Sequence, residues 1–331
     1  MKKIPSVILA VLTVLSFGFG TSACRRTESG SVEPITLGKM PIAAHLLIYI
    51  AEEQGFFSKN GIAVAVRDFD TGPEALRAMF AENIDIAHAG EYAAVASILK
   101  DDDLRILASI DRYRFFHLAA RKDRGVRKAS DLRGKKIGVS PATSGEFFLG
   151  RFLQLQGLSL SDITAVDIRP PEFVQAISDG SVDAVVYIRP YDKEIRQKLG
   201  ADGVFWDLQG TQDLYSVMVA RREWTSGHPE TLKRLLKSLL QAEKHLIAHP
   251  AQGKETLRRA LDLDASYVEE TWTDHLFSLT LDQSLVVAME HEARWMIKNR
   301  NFGEVRMPNL SDYIYGDALE AVKPTAVNII R

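Results

Sequence analysis

TGPEALRAMFAENIDIAHAG, residues 71–90, decides the fold. Thr71 stands where a helix cap belongs, Pro73 falls in the first turn and Glu74 lies three positions past the cap. That pattern predicts a helix start. The helix runs to about Glu82, and Asn83 and Asp85 turn the chain into IDIAHAG, a strand ending at Gly90. Upstream, ITL (35–37) reads as a strand and GKMP (38–41) punctuates it. IAAHLLIYIAEEQG (42–55) reads as a helix closed by glycine, and IAVAV (62–66) as the next strand. Strand–helix alternation of this kind predicts a mainly parallel sheet covered on both faces.

Downstream the pattern returns. DLRGKKIGVS (131–140) gives a polar turn and a strand, and Thr143-Ser144-Gly145-Glu146 opens an amphipathic helix that Gly157 ends. A strand at 163–168, a helix at 171–178 and the strand VDAVVYI (182–188) follow. NIDIAHAG (83–90) and SVDAVVYIRP (181–190) are the same idea written twice. FFHLAARKD (115–123) and YSVMVARRE (215–223) read as two crossings between lobes. From Thr231 the chain reads as almost wholly helical, with Trp272, Phe277 and Trp295 packing on the first lobe. The expected organisation is lobe one from 35–116 and 221–331, and lobe two from 117–220. Two α/β lobes joined by two crossings enclose a cleft, where the carboxyl ends of strands bind ligands.

The remaining sequence narrows the class. The chain has 331 residues, a formal charge of -2 and one cysteine. This length suits about two domains of roughly 150 residues, and the charge balance argues against a nucleic-acid partner. A lone cysteine excludes a disulfide framework and a multi-cysteine metal site. His245 and His249 are the one histidine pair at helical spacing, and no third ligand accompanies them, so no metal is expected. Residues 1–23 carry Lys2 and Lys3, an uncharged apolar stretch and the small residues Thr21, Ser22 and Ala23, then Cys24. This is the layout of a signal peptide. It resembles a lipoprotein signal, which implies acylation of Cys24 and a membrane anchor; ordinary cleavage after Ala23 is the alternative. RRTESGSVEP (25–34) reads as a flexible tether behind Cys24, making 24–34 the link to the body. Export leaves no supply of nucleotide cofactors, and none is expected.

Five elements in order then carry a resemblance. They are AEEQGFFSKNGIAVAV (51–66), TGPEALRAMFAENIDIAHAG (71–90), SDLRGKKIGVSPATSGEFFLGRFLQLQGLS (130–159), DGSVDAVVYIRPY (179–191) and VMVARREW (217–224). Together they resemble the nitrate/sulfonate/taurine and thiamin-pyrimidine-precursor class of solute-binding proteins of ABC transporters. The resemblance implies a type 2 periplasmic-binding-protein fold and a monomer that captures a small anionic solute and hands it to permease subunits. An enzyme of the same fold (pyrimidine-forming or chorismate-dehydratase-like) and a sensory binding protein are the alternatives. Two stretches depart from the family pattern: Ile188-Arg189-Pro190, where Trp-Glu-Pro is common, and the heavy segment DRYRFF (111–116). Both belong near the cleft in this reading.

The candidate ligand contacts follow. Thr143, Ser144 and Gly145 put hydroxyls and free N–H groups at a helix start, which suits an anion; plain capping is the rival role. Thr71 and Gly72 play the like part in lobe one. Gly90 and Glu91 follow a strand end, Glu91 being equally well placed as a helix-start acid. Met40 and Pro41 form a first contact loop. Arg189 offers a planar fork for an acid group, against the reading of an interlobe partner for Glu91 or Asp111. Tyr187 offers an aromatic wall, against burial on the sheet.

Overall fold

The computed structural model describes residues 32–100, 103–300 and 305–330. The signal peptide, Cys24 and the tether up to residue 31 lie outside the described residues. The tether is shorter than expected: Glu33 and Pro34 already belong to β1, Glu33–Lys39, where Glu33 pairs with Ile62 of β2, Ile62–Asp68. Next come β3, Ile86–Gly90, and β4, Leu104–Tyr113. The chain then enters a second sheet with β5, Phe116–Arg121, β6, Lys136–Val139, β7, Thr164–Asp167, β8, Ala184–Ile188, and β9, Gly203–Asp207. It returns through β10, Leu214–Arg221, and ends with β11, His275–Asp282, and β12, Val327–Asn328.

The first sheet has the order β12-β11-β4-β10-β3-β1-β2 and the second β7-β6-β8-β5-β9. The repeat seen in the sequence is geometric. β2, β1 and β3 pair in parallel as β7, β6 and β8 do, and a strand running the other way follows each set. Those reversed strands make both sheets mixed, whereas a mainly parallel sheet was expected. The reason is the returning chain: β10 and β5 each arrive from the other lobe and pair antiparallel with β3 and β8.

This topology also moves the lobe boundary. Residues 115–123 and 215–223 are mostly strand, and the connections between sheets are the short links on either side of β5 and β10. β10 belongs to the first sheet, so lobe two ends near residue 213, not at 220. One buried side chain ties the links together. Gln209 Oε1 accepts hydrogen bonds from the N–H groups of Phe115 (2.7 Å) and Phe116 (2.8 Å), while its Nε2 donates to the carbonyls of Tyr113 (3.3 Å) and Gln212 (3.1 Å).

The local reading holds where turn chemistry is strong. Thr71 Oγ1 accepts from the Glu74 N–H, and the helix runs Gly72–Phe80. Gly55, at φ 64°, ends the segment of helix Leu46–Glu53 in the left-handed region that favours glycine. The C-terminal third is less helical than expected, because β11 interrupts it. Its residues Phe277, Leu279 and Leu281 alternate inward with the more exposed Leu276, Ser278 and Thr280, a period of two that marks a strand. Trp295, on helix Gln283–Asn299, does not pack on lobe one alone. Its indole covers Gly150 of lobe two, where a Cβ would sit 2.2 Å from the ring.

Candidate functional site

Each βα unit delivers a loop to the same edge of its sheet, and the two edges face one another across a cavity of about 230 Å³. Lobe one supplies Met40, Pro41 and Ile42 after β1, Asp70 to Pro73 after β2, and Gly90 and Ala93 after β3. Lobe two supplies Ser140 and Thr143 to Gly145 after β6, Pro170, Pro171 and Phe173 after β7, and Val186 to Tyr191 in part along β8. Tyr113, Phe115, Phe116 and Leu214 close the hinge end. The connection after β7 is the topological counterpart of the one after β2, and the two meet: Arg169 Nη1 lies 3.2 Å from Asp70 Oδ2.

Helix Gly72–Phe80 and helix Ser144–Leu155 both start at the cavity. First-turn N–H groups have no intrahelical acceptor, so each start presents donors and a partial positive charge. Thr143 makes no cap; its hydroxyl donates to the Ser140 carbonyl at 2.7 Å. Ser140 in turn donates to the Ile168 carbonyl at 2.6 Å. Ser144 is 4% exposed, and its hydroxyl has no hydrogen-bond partner among the described residues. A Cβ on Gly90 would come within 3.0 Å of Ser144 Oγ, so this glycine lets the two lobes meet.

Of the sequence candidates, Met40, Pro41, Thr71, Gly72, Gly90, Thr143, Ser144 and Gly145 line the cavity. Glu91, Tyr187 and Arg189 do not. Strand alternation explains Tyr187, since Val186 and Ile188 of β8 take the cavity face; Arg189 lies in the turn just past β8, where Pro190 and Tyr191 line the cavity and it does not. Tyr187 is buried in the core of lobe two. Arg189 Nη1 sits 3.3 Å from Asp274 Oδ2 of lobe one, an interlobe ion pair without hydrogen-bond alignment. Beside it, Tyr267 donates to Asp192 at 3.1 Å and Lys193 pairs with Asp264. The turn after β8 thus faces the cavity with one side and grips the C-terminal region with the other.

Arg189 therefore lies behind the cavity wall, outside its lining, and pairs across the lobes. Its pair with Asp274 is partly exposed, so the expected coupling is modest, about 0.5–1 kcal/mol in a double-mutant cycle. Urea unfolding of Arg189→Ala, Asp274→Ala and the double variant measures it. Additive effects would show that the pair is not made in solution.

Glu91 is fully buried, and its Oε2 accepts from the Tyr215 N–H at 3.0 Å. Burial pushes its carboxyl up to about 8, with Asp213 adding to the rise. Glu292, also fully buried, has no partner for either oxygen, and burial beside Glu91 drives it well above the usual range. Under the floor of the cavity, sequence reading missed a histidine pair. His45 Nδ1 lies 2.6 Å from the Met40 carbonyl, and its Nε2 lies 2.7 Å from His88 Nδ1. Burial holds both rings uncharged, His45 down at about 3, and the pair fixes Met40 as a wall. Forty-three residues separate the two histidines, so no spacing rule could pair them. Among the described residues, no group of three His, Cys, Asp or Glu side chains could hold a metal ion.

Fold and site together define a two-lobed solute-binding protein of the type 2 periplasmic kind. The chain belongs to the NMT1/THI5-like family, whose model matches residues 42–253. A Bacillus subtilis (strain 168) protein named for binding aliphatic sulfonates is 29% identical over 276 residues, covering 81% of each chain. Among solved structures, the alkanesulfonate-binding protein SsuA from Xanthomonas axonopodis pv. citri bound to MOPS superposes with a TM-score of 0.74. That match has 19% identity and covers 87% of this chain and 99% of that one. The desulfurization enzyme DSZB shares the fold at a TM-score of 0.60 and 16% identity, covering 88% and 99%.

Proposed function

We propose that the chain is the extracytoplasmic solute-binding component of an ABC importer, which captures a small anionic solute and delivers it to permease subunits without changing it. The observation that carries this reading is the pairing of helix starts across the cleft, Thr71 and Gly72 from lobe one with Ser144 and Gly145 from lobe two. Neither lobe alone surrounds an anion, so capture is linked to closure. The family's binding proteins, named for sulfonates, support the same reading. A membrane attachment through acyl chains on Cys24 completes it; the signal-like residues 1–23 ahead of the sole cysteine support that part.

Mass spectrometry of protein purified from its native host tests the proposal. The denatured sample is expected to release one small acid in near-stoichiometric amount, and the intact chain is expected to begin at Cys24 with acyl groups. Conversion of the released compound on incubation with fresh protein would overturn the binding role. An unmodified mature chain would overturn the anchor.

A further inference from the structure

We infer that the ligand is a monoanionic organic acid, a carboxylate or sulfonate borne on a flat, ring-sized apolar body, and not an inorganic oxyanion or a dianion. This rests on the binding role proposed above and specifies what the same cavity takes.

The walls argue for the body. Phe115, Phe116, Phe173, Tyr191 and Met40 present aromatic and thioether surface from both lobes and from the hinge. Their edges suit a ring, since aromatic pairs prefer edge-to-face and offset contact and methionine sulfur sits well at a ring edge. Phe115 already meets Phe116 in that way, at 4.8 Å between centroids and 71°, as Phe173 meets Tyr191 at 5.7 Å and 83°. A small hydrated anion would leave this surface unused and would have to shed its water against it.

The head is limited by charge and by donors. Among the described residues, no Lys, Arg or His lines the cavity. The charged side chain that does, Asp70, is negative and held by Arg169. Positive potential therefore comes from the helices Gly72–Phe80 and Ser144–Leu155, each contributing roughly half a charge at its start, which together balance one negative charge and not two. Ser144 supplies the second observation beyond the helix starts. The residue lines the cavity almost wholly buried, and its hydroxyl has no partner among the described residues. Thr71 Oγ1 accepts from Glu74, which leaves its proton free to donate. The hydroxyls of Ser140 and Thr143 are committed to carbonyls. Apart from the hydroxyls of Tyr113 and Tyr191, the side-chain donors are thus few and gathered at the seam between lobes, while most of the remaining lining is apolar. Glu91 behind the seam adds no repulsion near neutral pH, its carboxyl being pushed up to about 8.

Calorimetry at pH 7 with the mature protein tests this on benzoate, benzenesulfonate, acetate, taurine, nitrate, sulfate and uncharged benzamide. The two ring acids should bind at least about 100-fold more tightly than acetate, nitrate or sulfate, and benzamide should bind as weakly as those. Ser144→Ala should weaken the ring acids by about tenfold with no change in thermal midpoint. Nitrate, sulfate or taurine binding as tightly as the ring acids would overturn the ligand class and leave the capture role standing. Benzamide binding as tightly as benzoate would remove the acid head. Failure of every ring acid would also overturn the class; the capture role is decided separately by the compound released from native protein.

Discussion

A Gly150→Leu variant is expected to lose most of its ligand affinity, by at least about 100-fold, with every cavity residue intact. Gly150 lies on helix Ser144–Leu155 of lobe two, and Trp295 of lobe one lies against it. A Cβ at this position would be 2.2 Å from Cζ2 and 3.0 Å from Cε2 of the indole. Tyr92 and Phe147 pack against the ring at centroid distances of 6.2 and 5.5 Å, which resists its displacement. Even one or two inserted methylenes typically cost about 1–3 kcal/mol in such a place. The lobes avoid that cost by standing apart, which also separates Ser144 from Gly90 and divides the anion site. Small-angle scattering should report a larger radius of gyration for the variant, and Trp295→Ala in the same chain should restore both size and affinity. Wild-type dimensions and affinity in Gly150→Leu would show that the indole does not key the lobes.

The second large effect concerns pH. Glu91 and Glu292 are both fully buried, and burial raises both, Glu91 from 4.5 to about 8. A carboxyl whose value is higher in the folded chain favours folding most below its unfolded value. That contribution fades as pH climbs through the folded value. The free energy of unfolding should therefore fall between about pH 5 and 9, by on the order of a few kcal/mol for a buried acid. The groups facing the pair are Asp213, which adds repulsion, and the Tyr215 N–H, which opposes it. Glu292→Gln removes one of the two charges, so its pH profile should be flatter than that of the parent chain. Urea titrations across that range measure both. Parallel profiles for the two proteins would mean that Glu292 does not hold a proton in the folded state.

How much of this could be read beforehand depended on the range of the interaction involved. The βα units were legible because their signals are local: Thr71 as cap, Pro73 in the first turn, Gly55 at the end of a helix. The duplicated strands ending at Gly90 and Ile188 were legible because like sequences make like strands. The departures at DRYRFF and Ile188-Arg189-Pro190 did mark cavity-lining segments, although not through the arginines. Alternation along β8 would have placed Tyr187 opposite Val186 and Ile188, and the period of two in Phe277, Leu279 and Leu281 would have found β11. Other features leave no trace in a single chain. Nothing near Gly150 announces an indole 145 positions away, and nothing near His45 announces His88. The crossings were misplaced because a strand that enters a lobe from its neighbour looks like any other apolar strand; only its pairing partner reveals which sheet owns it.

Gln209 sets what kind of joint those crossings make. Its amide bonds to the first crossing at Tyr113, Phe115 and Phe116 and to its own link, between β9 and β10, at Gln212. Two ribbons stitched at one point can twist together but cannot slide lengthwise past each other without leaving buried N–H groups bare. The permitted motion reduces to rotation about a single short axis, with Phe115 and Phe116 riding on it. Because those two rings also face the cavity, the axis passes beside it. A turn of a few degrees then moves the near contacts little and the far rim, where Asp70 meets Arg169, by much more. The geometry makes the rim the sensitive indicator of opening, and the hinge aromatics the part of the site that stays formed throughout.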